Sequence, residues 1–361
     1  MSDLQTVDND LHGLAGVRLL DAAPGDARAV DRQLGPIRGS LQGEPDLVVR
    51  FVDRLDVRGP VTLLGLDDAG YTEDAFLILR SKHKARARVQ IPLDQIGTSG
   101  AEIVCERGLP AVPLLIACLN LTVLAHGALP LHAAAFTYRG RGIVVTGWSK
   151  GGKTESVLAF LAHGARFVGD EWIYVEPDGS KVHGIPEPMR VWDWNLRQLP
   201  AARERLSGAE RARLGGLRAA TSAARGRRGR RVGAFLDRQR YVDLPPERLF
   251  EDGAFDLTAP FDRLFLVSSR DDPETVARPV DPLEVARRMA ASLEYEREPI
   301  AAAHAQFRFA FPDRANPVFE TAGERERALL DRVFAGKPAF AVDHPYPVDL
   351  GRLFEVMDPL C

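Results

Sequence analysis

Eight residues, Gly147-Trp148-Ser149-Lys150-Gly151-Gly152-Lys153-Thr154, have the types and spacing that hold a phosphate chain. They fit G-x-x-x-x-G-K-[ST], in which glycines let the backbone curl close to anionic oxygens without Cβ clashes. The lysine brings a positive charge to the β- and γ-phosphates, and the hydroxyl can ligate a magnesium ion between them. Lysine is scarce here. The chain has six lysines beside 41 arginines, and two of the six fall in this loop.

A second group follows one strand later. Asp170-Glu171 closes the apolar run Arg166-Phe167-Val168, and carboxylates at a strand end beside a phosphate loop can hold magnesium or take a proton from a nucleophile. His132 lies 15 residues before Gly147, and on an antiparallel neighbouring strand its side chain could approach the loop. The candidate residues are thus Asp170, Lys153 and His132 for catalysis, Gly147 to Thr154 with Glu155 for nucleotide, and Thr154, Asp170 and Glu171 for metal.

Such a loop works only between a strand that feeds it and a helix that leaves it, so that amide groups converge on one anion. Both are expected. Ile143-Val144-Val145-Thr146 is β-branched, and 153 to 163 reads as a helix stopped by Gly164. Upstream, Leu131 to Tyr138 reads as a strand turning at Arg139 to Gly142. Downstream, Leu264 to Val267 and Ala339 to Val342 read as core strands, and 281 to 295, 323 to 335 and 349 to 357 as helices. Trp192 and Trp194, two apart on an expected strand, read as packing.

Residues 17 to 105 show short apolar runs, Leu47 to Val52, Val61 to Leu64, Ala75 to Leu79 and Arg88 to Ile91, separated by turns such as Arg58-Gly59-Pro60 and Asp67-Asp68-Ala69-Gly70. We therefore expect a smaller β-rich N-terminal domain over 1–108 and an α/β nucleotide-binding domain over 109–361. Within the second, 203 to 231 carries ten arginines against Glu204 and Glu210 and is rich in glycine. It reads as a mobile insertion, with docking of an acidic or phosphorylated partner as the alternative use. No aromatic residue interleaves those arginines, so nucleic acid is not expected as a partner.

Bulk properties agree with a folded protein. The chain has 361 residues, is 45% apolar, and its net charge of -3 gives no global pull towards polyanions. Met1-Ser2-Asp3-Leu4-Gln5 lacks the pattern of a secretory signal, so the cytoplasm is the expected location. Three cysteines, Cys105, Cys118 and Cys361, show no metal-ligand spacing and read as free thiols. From Gly108 to Tyr138 no charge occurs, yet Pro113, Asn120, His126 and Pro130 interrupt the run. A buried helix, rather than a membrane span, is expected there.

Taken together, His132, the loop with Glu155, and His163-Gly164-Ala165-Arg166-Phe167-Val168-Gly169-Asp170-Glu171 resemble the HPr kinase/phosphorylase superfamily. Its members carry G-x-S-G-x-G-K-S-E, a helix, then G-H-R-L-V-A-D-D, with a histidine one strand upstream. The resemblance covers about 132 to 190, where Gly184-Ile185-Pro186-Glu187-Pro188 and Arg190 also match HPr kinase-related proteins. It implies the fold shared with phosphoenolpyruvate carboxykinases, and an ATP- and magnesium-dependent kinase acting on a Ser or Thr hydroxyl of a protein or peptide. On that likeness Asp170 would be the general base. Glu171 and Thr154 would hold magnesium, Lys153 would stabilise the transferring phosphoryl group, and His132 would assist near the acceptor.

Lys150 replaces a glycine of the family pattern and Glu171 its second aspartate, and the later glycine-rich signature tied to phosphorylase activity is not visible. Kinases found beside peptide-modification clusters, including those acting on lasso peptides, are similar in organisation. Two other readings stand beside this one: a small-molecule kinase, and a non-catalytic protein whose partner affinity is gated by ATP. Donor choice among ATP, GTP and pyrophosphate, and a homo-oligomeric state, stay open.

Overall fold

A computed structural model of the chain describes residues 4–65, 69–80, 86–224, 230–250 and 254–361. Of the stretches singled out above, Met1 to Asp3, the turn residues Asp67 and Asp68, and Arg225 to Gly229 lie outside the described residues. The protein is mixed α/β, as expected, with strands in both parallel and antiparallel pairs.

The chain divides into two compact units, and the boundary is not at residue 108. One unit takes residues 1–132, 172–187 and 280–337, and the other takes 133–171, 188–279 and 338–361. Periodicity along a chain reports local structure, whereas the units are made by segments distant in sequence, so the interleaving leaves no linker to read.

In the first unit an eight-stranded sheet runs, in spatial order, Gln5–Asp10, Gly16–Ala22, Leu47–Val52, Ala101–Glu106, Arg86–Gln90, Phe76–Arg80, Ala69–Tyr71 and Thr62–Leu64. The unit is less purely β than its sequence suggested. It carries the helix Pro24–Leu34 and, from its C-terminal portion, the helices Pro282–Glu296, Glu298–Ala310 and Pro317–Phe334. The uncharged stretch forms the helix Leu115–Ala125, most of it buried, which is why no polar face was legible in it. Among the described residues no helix is long and apolar enough to cross a membrane. Cys105 and Cys118, buried and free, have thiols pushed up to about 12 by burial.

The second unit is built on six strands: β1 (Ala134–Tyr138), β2 (Arg141–Thr146), β3 (Arg166–Gly169), β6 (Arg263–Ser269), β7 (Val276–Pro279) and β8 (Ala339–His344). Two further strands, β4 (Met189–Trp192) and β5 (Tyr241–Leu244), pair separately. Its helices are α1 (Lys153–Leu161), α2 (Asp193–Gln198), α3 (Pro200–Glu204), α4 (Gly208–Ala223), α5 (Arg230–Asp237) and α6 (Leu350–Met357). The six strands lie in the order β3-β1-β2-β6-β8-β7. β1 and β2 form a hairpin closed by Arg139 and Gly140, both at positive φ, the two-residue turn whose twist suits antiparallel strands.

Alternate residues of the sheet face one core. Phe136, Ile143, Val145, Phe265 and Val342 pack with Val157 and Phe160 of α1 and Leu353 and Met357 of α6, all fully or almost fully buried. Period-two alternation in the strands and helical spacing in α1 thus meet at one surface.

Of the arginine-rich stretch, the glycine-dense part Arg225 to Gly229 lies outside the described residues. The described part is helical, with α4 started by a reciprocal cap in which the Glu210 amide donates to the Ser207 hydroxyl and the Glu210 carboxylate accepts from the Ser207 amide. Its arginines tie the helix down. Arg205 donates to the Leu249 carbonyl, Arg213 to those of Gln239 and Tyr241, and Arg218 meets Asp193 at 2.6 Å. Arg248 reaches back to Glu210 at 2.8 Å and, with burial opposing it, holds that carboxyl down to about 2.

Asp193 is 4% exposed and is gripped by Arg218 and Arg240, each at 2.6 Å. Burial alone would raise its pKa, and the two guanidinium bonds outweigh that and hold it below the usual range. Asp193→Ala removes the shared partner of Arg240, which keeps Asp237, and of Arg218, whose side chain is 39% exposed. It is expected to cost about 1–2 kcal/mol, less than a fully buried pair because one cation reaches water and the other keeps a second carboxylate. Urea unfolding measures it, and a change inside the noise would show that the clamp contributes nothing.

Candidate phosphate loop and its carboxylates

The sheet order brings the motif residues to one edge. β2 and β3 both run antiparallel to β1, so their carboxyl ends emerge on the same side, and β6 and β8 are parallel to β2. Gly147 leaves the end of β2, and Asp170 leaves the end of β3. Open α/β sheets place ligand sites outside such carboxyl ends.

Glycine is required at two loop positions. Gly147 has φ +155°, and a Cβ there would stand 2.5 Å from the Val267 carbonyl oxygen of β6. Gly152 has φ +111°, and its Cβ would stand 2.3 Å from Nε2 of His344 at the end of β8. The loop is therefore pressed against its sheet. Lys150, which stands where the family pattern has glycine, also takes a positive φ of 63°. A side chain costs roughly 1–2 kcal/mol in that region, which accounts for the glycine preference.

Within the loop, the Lys153 ammonium is almost fully buried and donates to the carbonyls of Gly147 at 3.3 Å and Trp148 at 3.2 Å. The Gly151 amide donates to the Trp148 carbonyl at 2.9 Å, closing the turn. Trp148 and Lys150 are exposed, so the loop's outer side faces solvent. α1 begins at Lys153, and its first amides point to the loop.

Thr154 and Asp170, 16 residues apart, meet directly. The Thr154 hydroxyl lies 2.9 Å from one carboxylate oxygen of Asp170 and 3.2 Å from the other. Asp170 is 4% exposed, and burial pushes its pKa up to about 7. The neighbouring Glu171 charge adds to the rise, the Thr154 hydrogen bond and Lys153 oppose it, and Glu155 contributes a little more. Glu171 itself is exposed, at φ 71°, close enough for its charge to be felt by Arg190.

Glu155, one residue beyond the motif, sits in a separate cluster. Burial raises its pKa, opposed by the backbone of its own helix turn, by the polar side chain of Asn195 in α2 and by the nearby His344 and Lys153. Neither Asn195 nor His344 stands out in the sequence, because each reaches the loop from an element far along the chain. Trp194, expected on a strand with Trp192, lies instead in α2 and packs edge-on against Tyr346.

His132 falls in the other unit. It is 3% exposed, with Nδ1 2.9 Å from a Glu296 carboxylate oxygen and its ring against Trp172. The expected strand from Leu131 to Tyr138 is in fact two, Leu129–Leu131 and β1, and the division between units falls between His132 and Ala133.

The donor set can be tested against the groups the motif implies. Thr154, Asp170 and Glu171 offer only oxygen atoms, which suits magnesium, an ion that keeps waters and phosphate oxygens as its remaining ligands. Among the described residues no group of three or more His, Cys, Asp or Glu could enclose a metal unaided. The glycine cradle and the buried ammonium suit phosphate. No protein-family model matches this chain, and no curated protein matches it.

Proposed function

We propose that the chain is a magnesium-dependent kinase that transfers the γ-phosphoryl group of ATP, or of another nucleoside triphosphate, to a Ser or Thr hydroxyl of a protein or peptide. The proposal includes the HPr kinase/phosphoenolpyruvate carboxykinase type of fold for the second unit. What carries it is the meeting of Thr154 with a buried Asp170 beside the glycine cradle. A buried carboxylate that meets the loop's hydroxyl is placed to take a proton from an acceptor brought beside the phosphates.

In this reading Asp170 accepts the proton of the attacking hydroxyl. A base with a pKa near the working pH is deprotonated in a useful fraction and still takes the proton readily. The hydroxyl oxygen then forms the new P–O bond while the bond to the nucleoside diphosphate breaks. Lys153 and the amides of the loop counter charge on the phosphates. Thr154 and Glu171 would supply oxygen ligands for the metal, and Glu155 lies in the first turn of α1 beside them. Bound MgATP supplies the electrophilic phosphoryl group. His132, held against Glu296, has no part in this reading.

The test is transfer from γ-labelled ATP, with and without magnesium, to the products of genes encoded beside this one. Label on a Ser or Thr of a protein or peptide supports the proposal. Label only in a low-molecular-weight product would point to a small-molecule kinase, and tight magnesium-dependent ATP binding with no transfer at all to a non-catalytic, ATP-gated protein.

A further inference from the structure

We infer that His344 is a doubly protonated imidazolium that positions the phosphate loop from the sheet side, a second buried cation of the site besides Lys153. The inference rests on the reading of Gly147 to Thr154 as a nucleotide phosphate loop, and it assigns a residue which that motif does not contain.

The argument is a count of protons. His344 ends β8 and is 1% exposed. Its Nδ1 lies 2.8 Å from the Pro345 carbonyl oxygen, and its Nε2 lies 2.9 Å from the Gly151 carbonyl oxygen. Carbonyl oxygens only accept. A neutral imidazole has one N–H and one bare nitrogen, so either neutral tautomer would set a lone pair against a carbonyl lone pair at one of these contacts. Away from water that arrangement forfeits a hydrogen bond and adds repulsion. Donation from both nitrogens satisfies both contacts, and it requires the cation.

The charges around the ring are consistent. From α1, the Glu155 carboxyl lies near enough to feel both the ring and Lys153. From α2, the Asn195 side chain lies near Glu155, and in the segment after β8 Tyr346 senses the same carboxyl group. Asp343, the preceding residue, is turned to Arg270 at 3.0 Å, while the Arg270 amide donates to the His344 carbonyl.

The bond to Gly151 has a stereochemical result. In a trans peptide the C=O of Gly151 and the N–H of Gly152 point opposite ways. Fixing the carbonyl on the ring therefore aims the Gly152 amide away from the sheet side. His344 is thus a positioning residue that orients one donor of the cradle and adds positive charge behind it.

Long-range ¹⁵N–¹H correlation on histidine-labelled wild-type protein near neutral pH reads the proton count directly. Both His344 nitrogens are expected in the protonated range, with His344→Gln assigning the signals by their loss. That variant keeps one donor but no charge. It is expected to weaken tripolyphosphate and MgATP binding by about tenfold, the scale of one charge-assisted bond, and to leave adenosine binding unchanged. A bare nitrogen in the spectrum, or tripolyphosphate bound by His344→Gln as tightly as by wild type, overturns the inference. Wild-type protein that binds neither tripolyphosphate nor MgATP would overturn the loop reading and the positioning role together. A failed spectrum alone would sink the imidazolium and leave the loop standing.

Discussion

Asp170→Asn is expected to lower phosphoryl transfer by about 10²–10⁴-fold, the usual contribution of a general base, while MgATP still binds. Asparagine keeps the shape and can still accept from Thr154, but it cannot take a proton. The same substitution is expected to stabilise the nucleotide-free protein at alkaline pH. The Asp170 pKa rises from 3.8 to about 7 on folding, chiefly by burial and then by the Glu171 charge. Between those values the folded chain holds a proton that the unfolded chain has lost, so stability falls as pH climbs from about 4 to about 7 and stays low above. Asparagine carries no such penalty. The gain at pH 8 is up to about 4 kcal/mol, from the free-energy value of each pKa unit, and it shrinks to little near pH 4. Thermal unfolding of both proteins across that range measures it. A gain independent of pH would mean that Asp170 titrates as an ordinary aspartate, and wild-type transfer by the variant would remove it as the base.

Gly152→Ala is expected to cripple the loop and the fold beneath it. Its φ of +111° is hostile to a side chain, and the new methyl carbon would stand 2.3 Å from His344 Nε2. A flexible side chain could swing aside at little cost. His344 cannot, because it is buried and bound through both nitrogens. The loop must then lift from the sheet or the ring must give up both bonds. Either outcome costs about 3 kcal/mol or more, by the combined scale of left-handed strain and overpacking. MgATP affinity should fall by at least about 100-fold, because the converging donors are displaced as a set. Denaturant unfolding with parallel nucleotide titration checks both. An unchanged affinity would show that this peptide does not form part of a phosphate site.

Several parts of this arrangement could be read before any fold was known. The loop residues are contiguous, so their chemistry is legible as spacing. Asp170 follows one helix and one strand later, a short enough interval for local periodicity to carry the reading across. The strands β2, β3, β6 and β8 and the helices α1 and α6 were legible for the same reason, since alternation and helical spacing record which face of each element is buried.

Other parts misled. Glycine and arginine between 203 and 231 gave no helical signal, yet Gly208–Ala223 is helical because Ser207 and Glu210 cap it and because Asp193, distant in sequence, gathers Arg218 and Arg240. Local composition weighed against the helix, and tertiary ion pairs outweighed composition. The expected strand from Leu131 to Tyr138 failed similarly, since an apolar run does not say which sheet each half joins.

By itself, then, the amino-acid sequence determined the mixed α/β class, the strand-loop-helix at Gly147 to Thr154, and the acidic pair that follows it, because each depends on neighbours within a few tens of residues. Tertiary structure decided the rest: the interleaved units, the placing of His132 against Glu296, the burial that raises Asp170, and the approach of His344 beneath Gly152. Electrostatics and steric fit act through space, and His344 reaches Gly151 across 193 residues of chain.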